Sequence, residues 1–276
     1  LSLWVLIVYV PVTHWVWGGG IFSSWGTMDF AGGIVVHATA GTAALVTAIT
    51  LGKRRGFPKS ITPPHSPILT MIGASMLWIG WFGFNAGSAL SANGSAGMAM
   101  LVTHISAATA SLVWMFIEWK RFGKPSLIGI VTGMVAGLAT VTPASGYIGV
   151  PGGLVLGLLG GLLCYLAVDY IRGKLQIDDS LDVFAVHGVG GILGTLLVGF
   201  LATSTFSGLG LAEGQTGISQ FIIQLKAVIL TVIWTSFFTY SILKLTSFVV
   251  SLRVDEQEEI EGLDLRSHGE KGYHSD

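Results

Sequence analysis

Asp182-Val183-Phe184-Ala185-Val186-His187-Gly188-Val189-Gly190-Gly191-Ile192-Leu193-Gly194 opens a tract that carries no Asp, Glu, Lys or Arg again until Glu213, yet it holds a histidine. An earlier stretch echoes it: Asp29-Phe30-Ala31-Gly32-Gly33-Ile34-Val35-Val36-His37-Ala38-Thr39-Ala40-Gly41. Each runs from an Asp through a Phe to a His followed by small residues, at the head of an apolar segment.

Charged residues make up 11% of the chain and hydrophobic ones 51%, whereas soluble domains carry about 25% charged residues. The fold class expected is all-α, a polytopic membrane helix bundle. A crossing of ~30 Å of hydrocarbon takes ~20 apolar residues. Eight segments fit, at about 1–17, 29–51, 68–90, 98–118, 126–142, 150–170, 181–203 and 218–250. They make a transmembrane domain over 1–250, followed by an acidic tail over 251–276. Gly18-Gly19-Gly20, Ser91-Ala92-Asn93-Gly94-Ser95, Thr142-Pro143-Ala144-Ser145-Gly146 and Pro151-Gly152-Gly153 punctuate the apolar tracts, as Gly and Pro do. Asn93-Gly94-Ser95 also matches a glycosylation acceptor, in a loop that hugs the membrane. The chain starts at Leu1 inside an apolar segment, and a missing true N-terminus is expected.

Lys53, Arg54, Arg55 and Lys59 follow the second segment, Lys120, Arg121 and Lys124 the fourth, and Arg172 and Lys174 the sixth. The loops after the first, third, fifth and seventh hold no Lys or Arg. By the positive-inside rule this alternation puts the tail in the cytosol. It also makes the His37 segment run inward and the His187 segment outward. Similar motifs on oppositely running helices are what inverted repeats produce, and such repeats place their site near the midplane. His37 lies ~12 Å along a helix from Asp29 and His187 ~7.5 Å from Asp182, so the two are expected to face each other in one buried pathway. His14 and His104 also lie in apolar segments, without such an echo. Gly129-x-x-x-Gly133-x-x-x-Gly137, Gly157 with Gly161 and Gly190 with Gly194 are spaced for close helix approach. Cys164, the one cysteine, reads as a packing residue, and Lys226 as a snorkelling or packing side chain.

A neutral imidazole offers one donor and one acceptor. Two in contact suit a small neutral hydrogen-bonding molecule or a proton relay. They suit a divalent metal poorly, because the membrane segments add no midplane carboxylate. Aromatic side chains gather near the outer ends, with Trp15, Trp17 and Trp25 around the first loop and Trp78, Trp81, Phe82 and Phe84 ending the third segment. Such residues form interfacial belts, and an aromatic face also attracts a cation. A Trp face with a Ser hydroxyl suits a small monovalent cation that donates hydrogen bonds.

Trp17-Gly18-Gly19-Gly20, Asp29-Phe30-Ala31-Gly32-Gly33 with His37, Trp81-Phe82-Gly83-Phe84-Asn85-Ala86-Gly87-Ser88, Asp182-Val183-Phe184-x-x-His187-Gly188 and the tail Glu261-Gly262-Leu263-Asp264-Leu265-x-x-His268-Gly269-Glu270 resemble the ammonium transporter family of bacterial and plant type. The resemblance implies an eleven-helix inverted-repeat protomer, of which this chain would hold eight helices, assembled as a homotrimer in the cell membrane. It implies a transporter and not an enzyme, with no cofactor, metal or nucleic-acid partner. The substrate implied is ammonium or ammonia, with methylammonium as analogue. By motif match, Trp17 and Ser88 correspond to an outer cation site, with Phe30 behind it and Asp29 the family's acidic residue beside it. Phe84 corresponds to a gate ring, Trp81 to the pore wall, and His37 and His187 to the paired pore histidines. The cytosolic loops and tail resemble a docking surface for a PII-type signal protein. An ammonium sensor on the same fold and a Rhesus-type gas channel are the alternative readings. Trp17 and Ser88 weigh against the latter.

Overall fold

The computed structural model describes residues 1–60 and 63–272; the end of the expected tail, 273–276, lies outside the described residues. The described chain is helical. Successive elements are α1 (Ser2–Ser24), α2 (Gly33–Leu51), α3 (Pro67–Gly87), α4 (Gly94–Phe122), α5 (Leu127–Val141), α6 (Val150–Lys174), α7 (Phe184–Leu201) and α8 (Gly217–Ser247). A short amphipolar turn, α9 (Glu256–Glu261), follows in the tail. Of α1 to α8, all but α5 are long and apolar enough to cross a bilayer.

The helix boundaries follow from local chemistry. Side-chain oxygens of Ser66, Asn93 and Ser126 accept the amide three residues on and start α3, α4 and α5, and Thr216 with Ser219 forms a capping box for α8. Such caps satisfy amides that the first turn leaves free. Asn93 therefore has a structural duty apart from the glycosylation match. α1 pauses at Gly18-Gly19-Gly20, where Gly19 takes φ 78°, and resumes for one turn at Ile21–Ser24. α2 begins at Gly33 and not at the expected Asp29, because Asp29 serves as its cap. α5 has 15 residues, ~22 Å by rise, too short to span alone. The chain continues from Thr142 through Gly146 as buried non-helical backbone, which a membrane protein tolerates only inside its own packing. α8, with 31 residues, extends ~46 Å.

Glycines set the spacing of the bundle. A β-carbon on Gly133 or Gly137 of α5 would collide with Trp114, Ala110 and Ser106 of α4, and one on Gly157 or Gly161 of α6 with Ser106, Thr109, Ala110 and Val113. α4 thus lies between two small-residue faces, the arrangement expected from the four-residue spacing. Cys164 is fully buried with its sulfur against the Val186 carbonyl.

Basic side chains gather at one end of the bundle. Arg54 pairs with Asp178 at 3.1 Å, Arg121 with Asp169 at 3.1 Å and Arg172 with Asp182 at 2.8 Å. Arg253 reaches back from the tail to the carbonyls of Leu51 and Lys53 and pairs with Glu259 at 2.7 Å, so the tail rests on the end of α2.

Candidate functional site

α2 and α7 run antiparallel. Gly33 packs toward Thr195 at one end of their contact and Gly41 against Gly188 at the other. At the second point no side chain separates them: a β-carbon on Gly41 would fall inside the contact radius of the Gly188 backbone, and one on Gly191 inside that of His37 Cβ. Backbones this close bring their histidines together. His37 Nδ1 and His187 Nδ1 are 3.2 Å apart, with ring centroids 5.2 Å apart. That is hydrogen-bonding distance. Such a bond needs one N–H and one lone pair, so the pair cannot be doubly protonated. His37 is buried, and among the described residues its Nε2 has no hydrogen-bond partner. Among the described residues, no group of three or more His, Cys, Asp and Glu could hold a metal.

Both histidines sit in widened first turns, Gly33–Ala38 and Phe184–Gly188, wound as π-helix. The His37 amide accordingly bonds the carbonyl five residues back, on Gly32. Widened turns of this kind recur at functional sites, although Val5–Tyr9 and Asp169–Lys174 share the winding.

Trp81 covers the pair. Its ring stacks on His37 at 5.3 Å and 15° and on His187 at 6.3 Å and 20°. Its Nε1 donates to Thr142 Oγ1 at 3.0 Å, and that hydroxyl donates to Leu138 O. The irregular turn after α5 thus fixes the indole. Sequence reading did not single out Thr142, because a lone hydroxyl among many carries no periodic signal. Phe84, one turn along α3, lies 6.0 Å from His37 and 5.5 Å from Trp81.

Asp29 is 3% exposed. Its carboxylate accepts four amides, from Gly32 (2.9 Å), Gly33 (2.6 Å), Ile34 (2.8 Å) and Val35 (3.2 Å). These are the free donors of the α2 start, where a negative charge also meets the positive end of the helix dipole. The Asp29 carbonyl accepts Trp17 Nε1 at 2.8 Å. Asp29 therefore acts as a cap that also fixes the half-exposed Trp17. Phe30 packs edge-on to Tyr147 at 5.6 Å. Ser88 Oγ donates to Phe84 O at 2.8 Å. Among the described residues no hydrogen bond or ring contact joins Trp17 to Ser88; Trp17 is held through Asp29 and Ser88 through Phe84.

The sequence echo pairs Asp29 with Asp182, and the geometry corrects this. Asp182 takes φ 54° and pairs with Arg172. The α7 start is capped instead by Asp179, whose Oδ2 accepts the Phe184 amide at 2.7 Å. Asp179 precedes His187 by the same eight residues that separate Asp29 from His37; this shared Asp-to-His spacing is the signal that would have found it. Burial pushes the Asp182 carboxyl up to about 6, Asp179 adding to the shift and Arg172 opposing it. His104 lies apart from this centre, its ring tilted against those of Trp78 and Phe82.

The sequence profile of the Ammonium Transporter Family matches residues 1–273. The chain is 49% identical over 275 residues to ammonium transporter Amt1 of Archaeoglobus fulgidus, covering 99% of this chain and 69% of that protein. It is 47% identical to an ammonium transporter of Aquifex aeolicus, covering 98% of this chain and 63% of that one. Among solved structures, a Sensor Amt Protein superposes with TM-score 0.89 at 32% identity, over 97% of this chain and 68% of that one. Candida albicans Mep2 superposes with TM-score 0.83 at 35% identity, over 93% and 59%. The chain thus spans about 59% to 69% of the length of these four proteins. From the profile match along 1–273 and the shared helical architecture, this multi-pass membrane chain belongs to the ammonium transporter family.

Proposed function

We propose that this protein carries ammonium across the cell membrane, recruiting the cation at an outer aromatic site and passing neutral ammonia along His37 and His187. The observation that carries the reading is the direct contact of His37 with His187, 3.2 Å apart beneath the indole of Trp81. Trp17 presents a π-face and Ser88 a hydroxyl oxygen, groups that attract a desolvated ammonium. Phe30 backs this site and Phe84 covers the way to the histidines. Ammonium gives one proton to water at the outer site and leaves ammonia, which has a lone pair to accept a hydrogen bond and three N–H groups to donate. An imidazole pair holding one bridging proton offers a free ring nitrogen of each kind to such a guest. Asp29 contributes by position: it fixes the start of α2 and hence both His37 and Trp17.

The clustering of Lys and Arg at one end supports a cytosolic tail. The resemblance supports a homotrimer and a PII-type protein as partner at that basic end. Uptake of labelled methylammonium by cells lacking their own carriers tests the proposal. Wild-type protein is expected to restore saturable uptake and the His37→Ala/His187→Ala double variant to lose it; full uptake by the double variant overturns the paired-histidine route. Binding of ammonium without uptake or current would instead identify a sensor, and uptake indifferent to Trp17→Leu a gas channel.

A further inference from the structure

Gln224 lies seven residues after the first residue of α8 and is fully buried. Its side chain reads the main chain of Met28 in both directions: Oε1 accepts the Met28 amide at 2.9 Å, and Nε2 donates to the Met28 carbonyl at 2.6 Å. Nε2 also donates to the Thr195 carbonyl on α7 at 3.1 Å. One turn earlier, Gln220 donates to the Gly26 carbonyl at 3.0 Å and to Gln224 Oε1 at 3.2 Å. Gly199 of α7 leaves the room that Gln220 occupies, since a β-carbon there would lie 2.7 Å from Gln220 Cβ.

A buried primary amide in an apolar helix is costly unless its donors and acceptors are met. Here both groups of the amide meet one residue, Met28, in the loop that leads into Asp29, with Thr195 and Gln220 as further partners. Met28 is the residue before the cap, and Asp29 in turn holds the first four amides of α2 and the indole of Trp17. The Thr195 contact ties the same side chain to the helix that carries His187. An apolar residue of similar size would fill the same space and leave both main-chain groups of Met28 without these partners. The amide is therefore spent on orientation as well as packing.

We propose that Gln224, supported by Gln220, is a positioning residue for the outer cation site. It sets the height of the Met28–Asp29 segment and through it the indole of Trp17 and the first turn of α2. The proposal rests on the transport reading for what Trp17 does, and on geometry alone for what Gln224 holds.

Two measurements on the full protein test it. The first is hydrogen–deuterium exchange of the purified protein. Gln224→Leu is expected to speed exchange of the amides of residues 28 and 32–35 about tenfold or more, because their shared anchor is gone, while those of α5 keep the wild-type rate. Unchanged exchange over 28–35 overturns the proposal, whatever the protein carries. The second is methylammonium uptake normalised to transporter in the membrane. Gln224→Leu is expected to raise KM about fivefold or more with Vmax within about twofold, and to add little to Trp17→Leu when the two are combined. An unchanged KM, or effects that combine independently, overturns it. If Gln224→Leu does not reach the membrane, Gln220→Leu takes its place, with shifts of the same direction and smaller size; no shift there overturns it equally. Should Trp17→Leu alone leave KM untouched, the outer-site reading fails, while the exchange result still judges the anchor.

Discussion

Adding one methyl group at Gly41 perturbs the helix crossing without touching either imidazole. The new β-carbon would overlap Gly188 Cα and its amide nitrogen. Carbon atoms rest about 3.5–4.0 Å apart, so α2 and α7 must part by roughly 1.2–1.7 Å along the line between them. The imidazoles, now 3.2 Å apart at Nδ1, would then stand beyond about 4 Å, where the hydrogen bond no longer exists. Overpacking of this kind costs about 1–3 kcal/mol of stability, which a bundle of this size survives. The loss of a buried hydrogen bond is also about 1–3 kcal/mol. Where that loss falls on the barrier to passage, it lowers the rate about fivefold to 150-fold. Gly73→Ala serves as control, because a β-carbon there meets open space. Initial rates of methylammonium uptake, normalised to protein in the membrane, are expected to fall for Gly41→Ala and to hold for Gly73→Ala. Wild-type uptake by Gly41→Ala, at normal abundance, would refute the claim that the close crossing serves the histidine contact.

Three further outcomes follow from the same geometry. Asp29→Asn retains an acceptor for only part of the four-amide set and turns an NH2 toward the rest. Two orphaned buried amides cost about 2–6 kcal/mol, so the melting temperature in detergent is expected to drop by about 5 °C or more; a change within about 1 °C would contradict the cap. Trp17→Leu removes the π-face, worth about 1–2 kcal/mol to a desolvated cation. It is expected to raise KM for methylammonium about fivefold to thirtyfold, read from uptake against concentration, and an unchanged KM would contradict the site. Asp182 is lifted from 3.8 to about 6 in the folded protein, chiefly by burial. An acid raised in this way lends stability that is complete below 3.8 and lost as pH climbs through about 6. The melting temperature of Asp182→Asn relative to wild type is therefore expected to rise between pH 4 and pH 7, and a flat difference across that range would count against the assignment.

Much of the architecture was legible in the chain because lipid imposes blunt rules. Long charge-free tracts mark helices, Lys and Arg mark one set of loops, and small residues every fourth place mark where α5 and α6 press on α4. His37 and His187 were legible for a related reason: a polar ring in an apolar run needs a purpose, and two in matching contexts share one. The unread parts depend on contacts between residues distant in the chain. Asp182 stands nearest Phe184 and mimics Asp29 in sequence, yet its left-handed backbone sends it to Arg172, and Asp179 caps α7. Thr142 matters because it meets an indole from α3, and Gln224 because it meets a loop almost two hundred residues earlier. The α5 helix stops at Val141, within a residue of its expected end at 142, because Pro143 follows closely; what the chain did not show is that the buried turn after it steadies Trp81. Trp17 and Ser88, joined by resemblance, are held separately, one through Asp29 and one through Phe84.

The central claim is that the substrate passes the two imidazoles, and nitrogen-15 magnetic resonance of labelled histidine in the reconstituted protein tests it most directly. The account predicts that ring nitrogens assigned to His37 and His187, through the spectra of the single alanine variants, shift when ammonium chloride is added and stay fixed with sodium chloride. Ring resonances of His37 and His187 that ignore ammonium while the protein is transporting it would contradict the account.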